Sequence, residues 1–491
     1  MGRKVGFSRI PRQKALNLIG YFLHVFHQLV EITVSVCLLP VDNAVLLASY
    51  MLGIISARSS IRRRQSVLQD VQFYPKTILV TGIDTPHGLS VARCWYYEGH
   101  RVVGVEVRDL PVRSGESMSK TLGAFYYVPK SQYVSRLLDI VNREKVDVWI
   151  PCSERISVLE DAMAKQVVES RTYCKCMHLD TEFTNLLGHS ESFHQYLIEK
   201  GLPVLGNHRV QSRDSIHKIL NRSPTKLYLM QEATPVPDKK QAIVLPKRTS
   251  SQTYSDVSEI QISKDKPWLL QQQIRLGEFH AEMLVVRGHI TAIKVKLVNE
   301  EPGWGSSRLD EGLVIAIQKL MESFAMKSGP RLTGHLAVKM MVDEEFDSNS
   351  VRYVIHIAGC TQGAAAVKSL LQDASCPVTS GYLRLLYSQP VKTGDSGEAP
   401  DRVKAIISLS PRPRAVPRTT MVSKILKSIP LSQSGRELVD ALFFEAKKFL
   451  FWKDWRYSSH DPLPWWWHAH IYRPLSQMGS ILTGVGVSNV Q

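Results

Sequence analysis

No regular cysteine framework runs through this chain: its seven cysteines are odd in number and unevenly spaced. That excludes a disulfide scaffold and suits a reducing compartment. Cys174, Cys176 and His178 lie close together, yet they lack the second half of a zinc site, so buried thiols and no metal are expected. A complete G-x-G-x-x-G is also missing. Gly82 and Gly88 bracket a loop that could cradle a phosphate, but the spacing favours a plain tight turn. Lys and Arg are absent from residues 15–57, where only Glu31 and Asp42 carry formal charge. A stretch so apolar is no surface loop.

Against these absences stands an excess of positive charge. The chain carries 61 Lys and Arg against 45 Asp and Glu, a formal charge of +16, which suits an anionic partner surface. A lipid surface is the expected partner rather than nucleic acid, because an apolar anchor is present and no nucleic-acid module is recognisable. Arg3, Lys4, Arg9, Arg12 and Lys14 precede the apolar run, and Arg58, Arg62, Arg63 and Arg64 follow it. Two apolar limbs, 16–39 and 44–55, are separated by Pro40-Val41-Asp42-Asn43. The pattern fits a hairpin that dips into the bilayer and returns, with both ends and the main domain on the cytosolic side. The alternatives are a single spanning helix, in which Glu31 would be costly, and a cleaved signal peptide, for which the run is too long and lacks a small-x-small site.

From Lys76 the pattern becomes soluble α/β. Residues 77–80 read as a buried strand, 81–88 as a loop, 89–98 as a helix and 101–105 as the next strand, with a further helix at 135–144 and strand at 146–151. A doubly wound parallel sheet is the natural fold. Beyond helices at 192–200 and 212–220, short strands are expected at 226–230, 241–245, 268–274, 281–286 and 290–298, with Arg287-Gly288-His289 as a hairpin turn. A helix at 313–324, strands at 334–342 and 351–357 and a helix from Ala364 complete an α+β region. Residues 388–430 form a basic Pro- and Ser-rich linker, and 431–491 an aromatic tail. There Trp452, Trp455, Trp465, Trp466 and Trp467 lie among cations and histidines, a composition suited to the membrane–water interface.

The order of these elements over 76–372 resembles the ATP-grasp superfamily, and especially membrane-associated ATP-grasp proteins of fungal small-molecule (secondary-metabolite) pathways. The carrying segments are KTILVTGIDTPHGLSVARCWYYEGHRVVGVEV, SESFHQYLIEKGLPVLGNHRV, SKDKPWLLQQQIRLGEFHAEMLVVRGHITAI, TGHLAVKMMV and RYVIHIAGCTQGAA, with HDPLPWWWHAHIYRP similar to the family's tail. The resemblance implies a pre-ATP-grasp domain over 76–185 and an ATP-grasp-like domain over 186–387. It also implies ATP-dependent carboxylate–amine ligation through an acyl phosphate, with cations and magnesium neutralising the triphosphate. Gln231, Gln271, Gln273, Ile274 and Glu278 fall where the family lines its ATP pocket. The positions of the metal and catalytic residues are instead held by Lys339, His356, Ala358 and Cys360. Lys339 is a cation and Ala358 has no ligand atom, so magnesium on the family's usual ligands is not expected. Asp343, Glu344 and Glu345 read as exposed turn charges. Two functions follow: a degenerate binding or accessory subunit working beside other pathway enzymes, or an active ligase with rearranged ligands.

Overall fold

The computed structural model describes residues 12–56, 58–108, 113–222, 227–232, 243–260, 262–263, 268–272, 277–297, 311–347, 350–372, 376–386 and 454–483. The chain opens with helix α1 (Arg12–Ser56), followed by α2 (Arg58–Gln69). The expected hairpin is not formed: Pro40 lies inside α1, and the chain continues as helix through Val41, Asp42 and Asn43. A proline removes one hydrogen bond and crowds the carbonyl four residues back. The polar residues just after it are held from outside the helix. His470 Nε2 lies 2.9 Å from Asp42 Oδ2, and Trp466 Nε1 donates to Asn43 Oδ1 at 2.9 Å. Within α1, Val25–Met51 is by length and composition apolar enough to cross a membrane, and little of its most apolar stretch is buried by the rest of the chain.

The soluble body begins with a parallel sheet of β1 (Thr77–Thr81), β2 (Arg101–Val107), β3 (Ala124–Val128), β4 (Val148–Pro151) and β5 (Lys175–Cys176), ordered β3-β2-β1-β4-β5. Its strands are near-continuous apolar runs because both faces are covered. On one face α3 (Pro86–Tyr97) packs Leu89, Val91 and Trp95 with Ile78 and Val80. On the other, α4 (Tyr133–Glu144) and α5 (Val158–Arg171) pack Leu137 and Val168 with Leu79, Val103 and Trp149. Cys174 and Cys176 sit in this second core as buried thiols. The Gly82–Gly88 loop is a close-packed turn. Gly82 has φ +75°, a Cβ there would lie 2.4 Å from Cys152 and Ser153 backbone atoms, and Thr85 caps α3 by accepting from Gly88 N.

Helices α6 (Thr181–Gly188) and α7 (Ser190–Glu199) lead to a small antiparallel sheet of β6 (Asn207–Val210), β7 (Tyr228–Glu232), β8 (Ile243–Leu245) and β9 (Trp268–Gln272), ordered β6-β9-β7-β8. Its helices are α8 (Arg213–Arg222) and α9 (Ser250–Glu259). A larger antiparallel sheet follows, with β10 (Gly277–Val286), β11 (His289–Leu297), β12 (Gly334–Asp347) and β13 (Ser350–Gln362) ordered β11-β10-β12-β13. The β10–β11 hairpin turns through Arg287 (φ 50°) and Gly288 (φ 76°), the two-residue geometry expected for this connection. Helix α10 (Glu311–Ser328) covers one face with Ile317, Met321 and Phe324. Strand β12 overruns the expected end at 342, so Asp343, Glu344 and Glu345 are strand residues paired with β13 and not turn charges. The helix expected from Ala364 starts as a 3-10 turn, Ala364–Val367, and becomes α11 (Lys368–Gln372), with α12 (Cys376–Leu383) after it. A doubly wound parallel sheet followed by two antiparallel units, behind an N-terminal apolar helix, is the expected fold class.

The linker at 388–430 lies outside the described residues, as does the start of the tail. From Asp454 the tail is built as α13 (Leu463–Trp467), a π-helical turn at His468–Tyr472 and α14 (Arg473–Thr483). The interfacial reading of its tryptophans fails at Trp465, which is fully buried and edge-on to Tyr457. Trp466 and Trp467 donate their indole N–H groups to Asn43 and to the Arg113 carbonyl. These rings fasten chain to chain.

Candidate functional site

The large antiparallel sheet has two chemically distinct faces, set by strict alternation along its strands. Phe279, Ala281 and Met283 of β10 and Val338, Met340 and Val342 of β12 pack in the core beneath α10. Alternate positions put Glu278, His280 and Glu282 on the opposite face, beside Lys339 and Met341 of β12 and Lys294 and Lys296 of β11. Lys339 Nζ lies 2.7 Å from Glu278 Oε2, and His280 Nε2 lies 3.3 Å from Glu278 Oε1. With 39% of the lysine side chain exposed, the first pair contributes on the order of a surface ion pair, about 0.2–1 kcal/mol. Glu282 is fully buried and doubly satisfied, by Lys296 Nζ at 2.5 Å and by Leu370 N at 2.7 Å. Lys294 Nζ donates to the Ser369 carbonyl at 3.1 Å.

Strand register decides which of the expected site residues meet. Lys339 pairs with His280 and Gly359, Met341 pairs with Glu278 and His356, and a bulge between Lys339 and Met340 leaves Ala358 as the extra residue of β13. Lys339, Glu278 and His356 therefore belong to one face, with His356 Nδ1 3.1 Å from the Val204 carbonyl oxygen. Cys360 does not join them. It packs against the apolar core beneath α10, and burial pushes its thiol up to about 12. Gln231 and Gln271 lie on the small sheet, where the pairs Gln231–Leu269 and Leu229–Gln271 set them on the half-exposed face opposite Met230 and Leu270. Gln273 and Ile274 fall outside the described residues. His280, Glu282, Lys294 and Lys296 were missed from the sequence, although the alternation in GEFHAEMLVV and HITAIKVKL carries them.

Magnesium is usually held by one or two protein carboxylates together with water and substrate phosphates. Lys339, His356 and Ala358 bring no carboxylate, while Glu278 is engaged by an ammonium. Among the described residues no cluster of three or more His, Cys, Asp or Glu could hold a metal ion. Asp343 is a further carboxylate in register: it follows Lys339 and Met341 on alternate positions, diagonal to Glu278.

A second feature adjoins this face where β13 ends. A cavity of about 540 Å³ opens at the C-terminal edge of β4, lined by Ser153, Asp161, His178, Gln362, Gly363 and Lys368 among others. In the order β3-β2-β1-β4-β5 the strand order reverses between β1 and β4, the place where open α/β sheets leave a crevice for ligands. Buried polar atoms with no partner line it, His178 Nε2 and Gln362 Oε1 among them. Asp161 accepts from Tyr133 Oη at 2.7 Å, and burial pushes its carboxyl up to about 7. Burial lowers the His178 imidazole to about 4.

No protein-family model matches the chain, and no curated protein matches it. Solved structures are similar in part. The biotin carboxylase subunit of pyruvate carboxylase aligns at 10% identity and a TM-score of 0.44 over 59% of this chain and 64% of that one, so this chain spans less than two thirds of it. The ADP complex of N5-carboxyaminoimidazole ribonucleotide synthetase aligns at 14% identity and a TM-score of 0.38, covering 62% and 74%. A biotin carboxylase from Campylobacter jejuni, complexed with a β,γ-ATP compound, aligns at 12% and 0.41, covering 65% and 72%.

Proposed function

We propose that this chain is a membrane-associated ATP-grasp-fold protein serving a small-molecule pathway, of the fungal secondary-metabolite kind that its sequence resembles, as a binding or accessory subunit whose phosphate-transfer site is degenerate. The observation that carries the reading is the Lys339–Glu278 pair at 2.7 Å. An ammonium stands on the strand position where the family resemblance implies a metal-binding carboxylate, and it neutralises the nearest acid. The face it leaves carries the ammonium groups of Lys294, Lys296 and Lys339 beside Glu278, Glu282 and Asp343, and those ammonium groups suit contact with a phosphate-bearing ligand without a divalent ion. The cavity beside Asp161 and His178 offers a separate compartment for a small polar molecule. The apolar part of α1 and its basic flanks support association with a cytosolic membrane face.

A second reading, an active ATP-dependent carboxylate–amine ligase with rearranged ligands, draws on Asp343, whose register puts a second carboxylate diagonal to Glu278. Calorimetric titration of the full chain with ATP, with and without Mg²⁺, separates the two. Metal-independent binding or none supports the accessory reading; affinity that appears only with Mg²⁺, accompanied by phosphate release, establishes the ligase.

A further inference from the structure

The apolar helix α1 carries a polar seam. Gln28, Ser35, Asp42 and Ser49 recur every seven residues, Glu31 joins them one turn on from Gln28, and all five are between 2% and 7% exposed. Each of the last four meets the C-terminal segment, which runs antiparallel to α1. Arg473 Nη2 lies 2.7 Å from Glu31 Oε1, and Gln477 also donates to that carboxylate. Ser35 Oγ lies 3.0 Å from the Ala469 carbonyl oxygen and 3.1 Å from His470 Nδ1, whose Nε2 is 2.9 Å from Asp42. Ser49 Oγ and Tyr457 Oη are 2.9 Å apart. Ser35, His470 and Asp42 are a hydrolase trio by residue type, but they are enclosed in the seam, where a substrate carbonyl has no approach. Their role is to clamp.

The clamp is itself bolted to the water-soluble body. Asp461 accepts from Arg93 Nε at 3.1 Å and from Ser119 Oγ at 2.6 Å, Trp467 donates to the Arg113 carbonyl at 3.2 Å, and the Arg108 guanidinium lies 4.7 Å from the Tyr472 ring centre. Arg456 pairs with Glu116. About 27 Å of α1, from Glu31 to Ser49 at 1.5 Å per residue, is thus held alongside a polar domain. A helix so held cannot cross a bilayer without carrying Arg108, Arg113 and Glu116 to hydrocarbon depth.

Among the described side chains of α1, those on the other side are exposed. Phe26, Leu29, Val36, Leu47 and Met51 are between 51% and 66% exposed, and they cluster on the side away from the seam. We propose that α1 is a monotopic helix, lying along one leaflet with this face in the headgroup–acyl boundary while the C-terminal segment seals its polar side. The occupant is lipid: the face is predominantly apolar and is followed in the sequence by Arg58, Arg62 and Arg63, and the chain carries +16, all suited to an anionic leaflet.

The proposal rests on the membrane association above, and one experiment on the full chain separates the two. Nitroxide is attached at the exposed Cys37, or at Phe26→Cys or Leu47→Cys in a Cys37→Ser background, with Cys37→Ser alone as the blank. Each protein is floated on phosphatidylcholine–phosphatidylserine vesicles, and depth is read from accessibility to oxygen against a nickel chelate. A monotopic helix gives three equal, shallow depths, about 5–10 Å below the headgroups. A spanning helix puts Cys37 near the midplane, about 15 Å deep, with Phe26→Cys and Leu47→Cys shallow; that profile overturns the monotopic proposal and leaves membrane association standing. Labels closed to both probes mean a protein partner covers the face, which also overturns it. Failure to float removes membrane association and the proposal together.

Discussion

Replacing Lys339 by methionine tests the role of its ammonium directly. The substitution keeps the length of the side chain and deletes the ammonium 2.7 Å from Glu278. Because the lysine side chain is 39% exposed and Glu278 retains His280 at 3.3 Å, the loss of stability is that of a surface pair, at most about 1 kcal/mol. In a domain of this size that moves the melting temperature by no more than about 2–4 °C. Ligand binding responds differently. If the ammonium stands in for a divalent cation beside a phosphate, it contributes a charge-assisted contact of about 1.5–3 kcal/mol, so the variant loses about ten- to a hundredfold in affinity. Titration calorimetry with ATP in the absence of Mg²⁺ reads this, with Lys339→Arg as a charge-retaining control. Methionine and wild type binding ATP equally well, at unchanged melting temperature, would refute the surrogate-cation argument; Lys339 would then be a solvent-facing side chain and nothing more.

Three further outcomes follow from the same geometry. Lys339→Asp alone should not create Mg²⁺-dependent ATP binding, because His356 and Ala358 still bring no side-chain oxygen; the triple change with His356→Glu and Ala358→Asn should, as titration with and without metal will tell. Burial raises the Asp161 carboxyl from 3.8 to about 7, so the folded state binds the extra proton and stability falls as pH rises from about 4 to about 7. Asp161→Asn should remove its falling contribution in urea denaturation and be the more stable protein at pH 8, by on the order of 1–3 kcal/mol; the slope that remains sums Glu106, likewise raised to about 7, with buried His100 and His178, lowered to about 4, which act in the opposite sense. Gly82→Ala forces a Cβ to 2.4 Å from backbone atoms of Cys152 and Ser153 at φ +75° and should cost more than about 4 kcal/mol, seen as loss of a cooperative transition.

Strand content was legible because burial writes itself as pattern. ILV in β1 and VVGV in β2 are continuous apolar runs, as a sheet covered on both faces requires, and Arg287-Gly288 marked its hairpin through the positive φ that glycine favours. The resemblance names Lys339, Glu278 and His356 and implies that they are neighbours, but the register that joins them is not written in any one strand. It depends on the pairing of Met341 with both Glu278 and His356 and on a bulge that displaces Ala358, and register across three strands is invisible to any one of them. Cys360 shows the same limit. A one-residue offset at the bulge decides which face it joins, and it went to the core.

At the N-terminus the decisive pattern lies in the spacing of the polar residues. Mean hydropathy treats a helix as a uniform rod, and by that measure Glu31 and Asp42 are faults in an otherwise apolar run. Each would cost about 2.5–3.5 kcal/mol at the centre of a bilayer. Their spacing shows them to be part of one stripe with Gln28, Ser35 and Ser49, and a stripe calls for a partner of matching chemistry. The partner was also in view, misread as an interfacial aromatic tail: Arg473 answers Glu31, His470 answers Asp42 and Ser35, and Tyr457 answers Ser49. The two ends of the chain are therefore one structural unit. Removing residues 457–483 would not trim a tail; it would strip Glu31, Ser35, Asp42 and Ser49 of their hydrogen-bond partners and unfasten α1 from the body that the C-terminal segment ties it to.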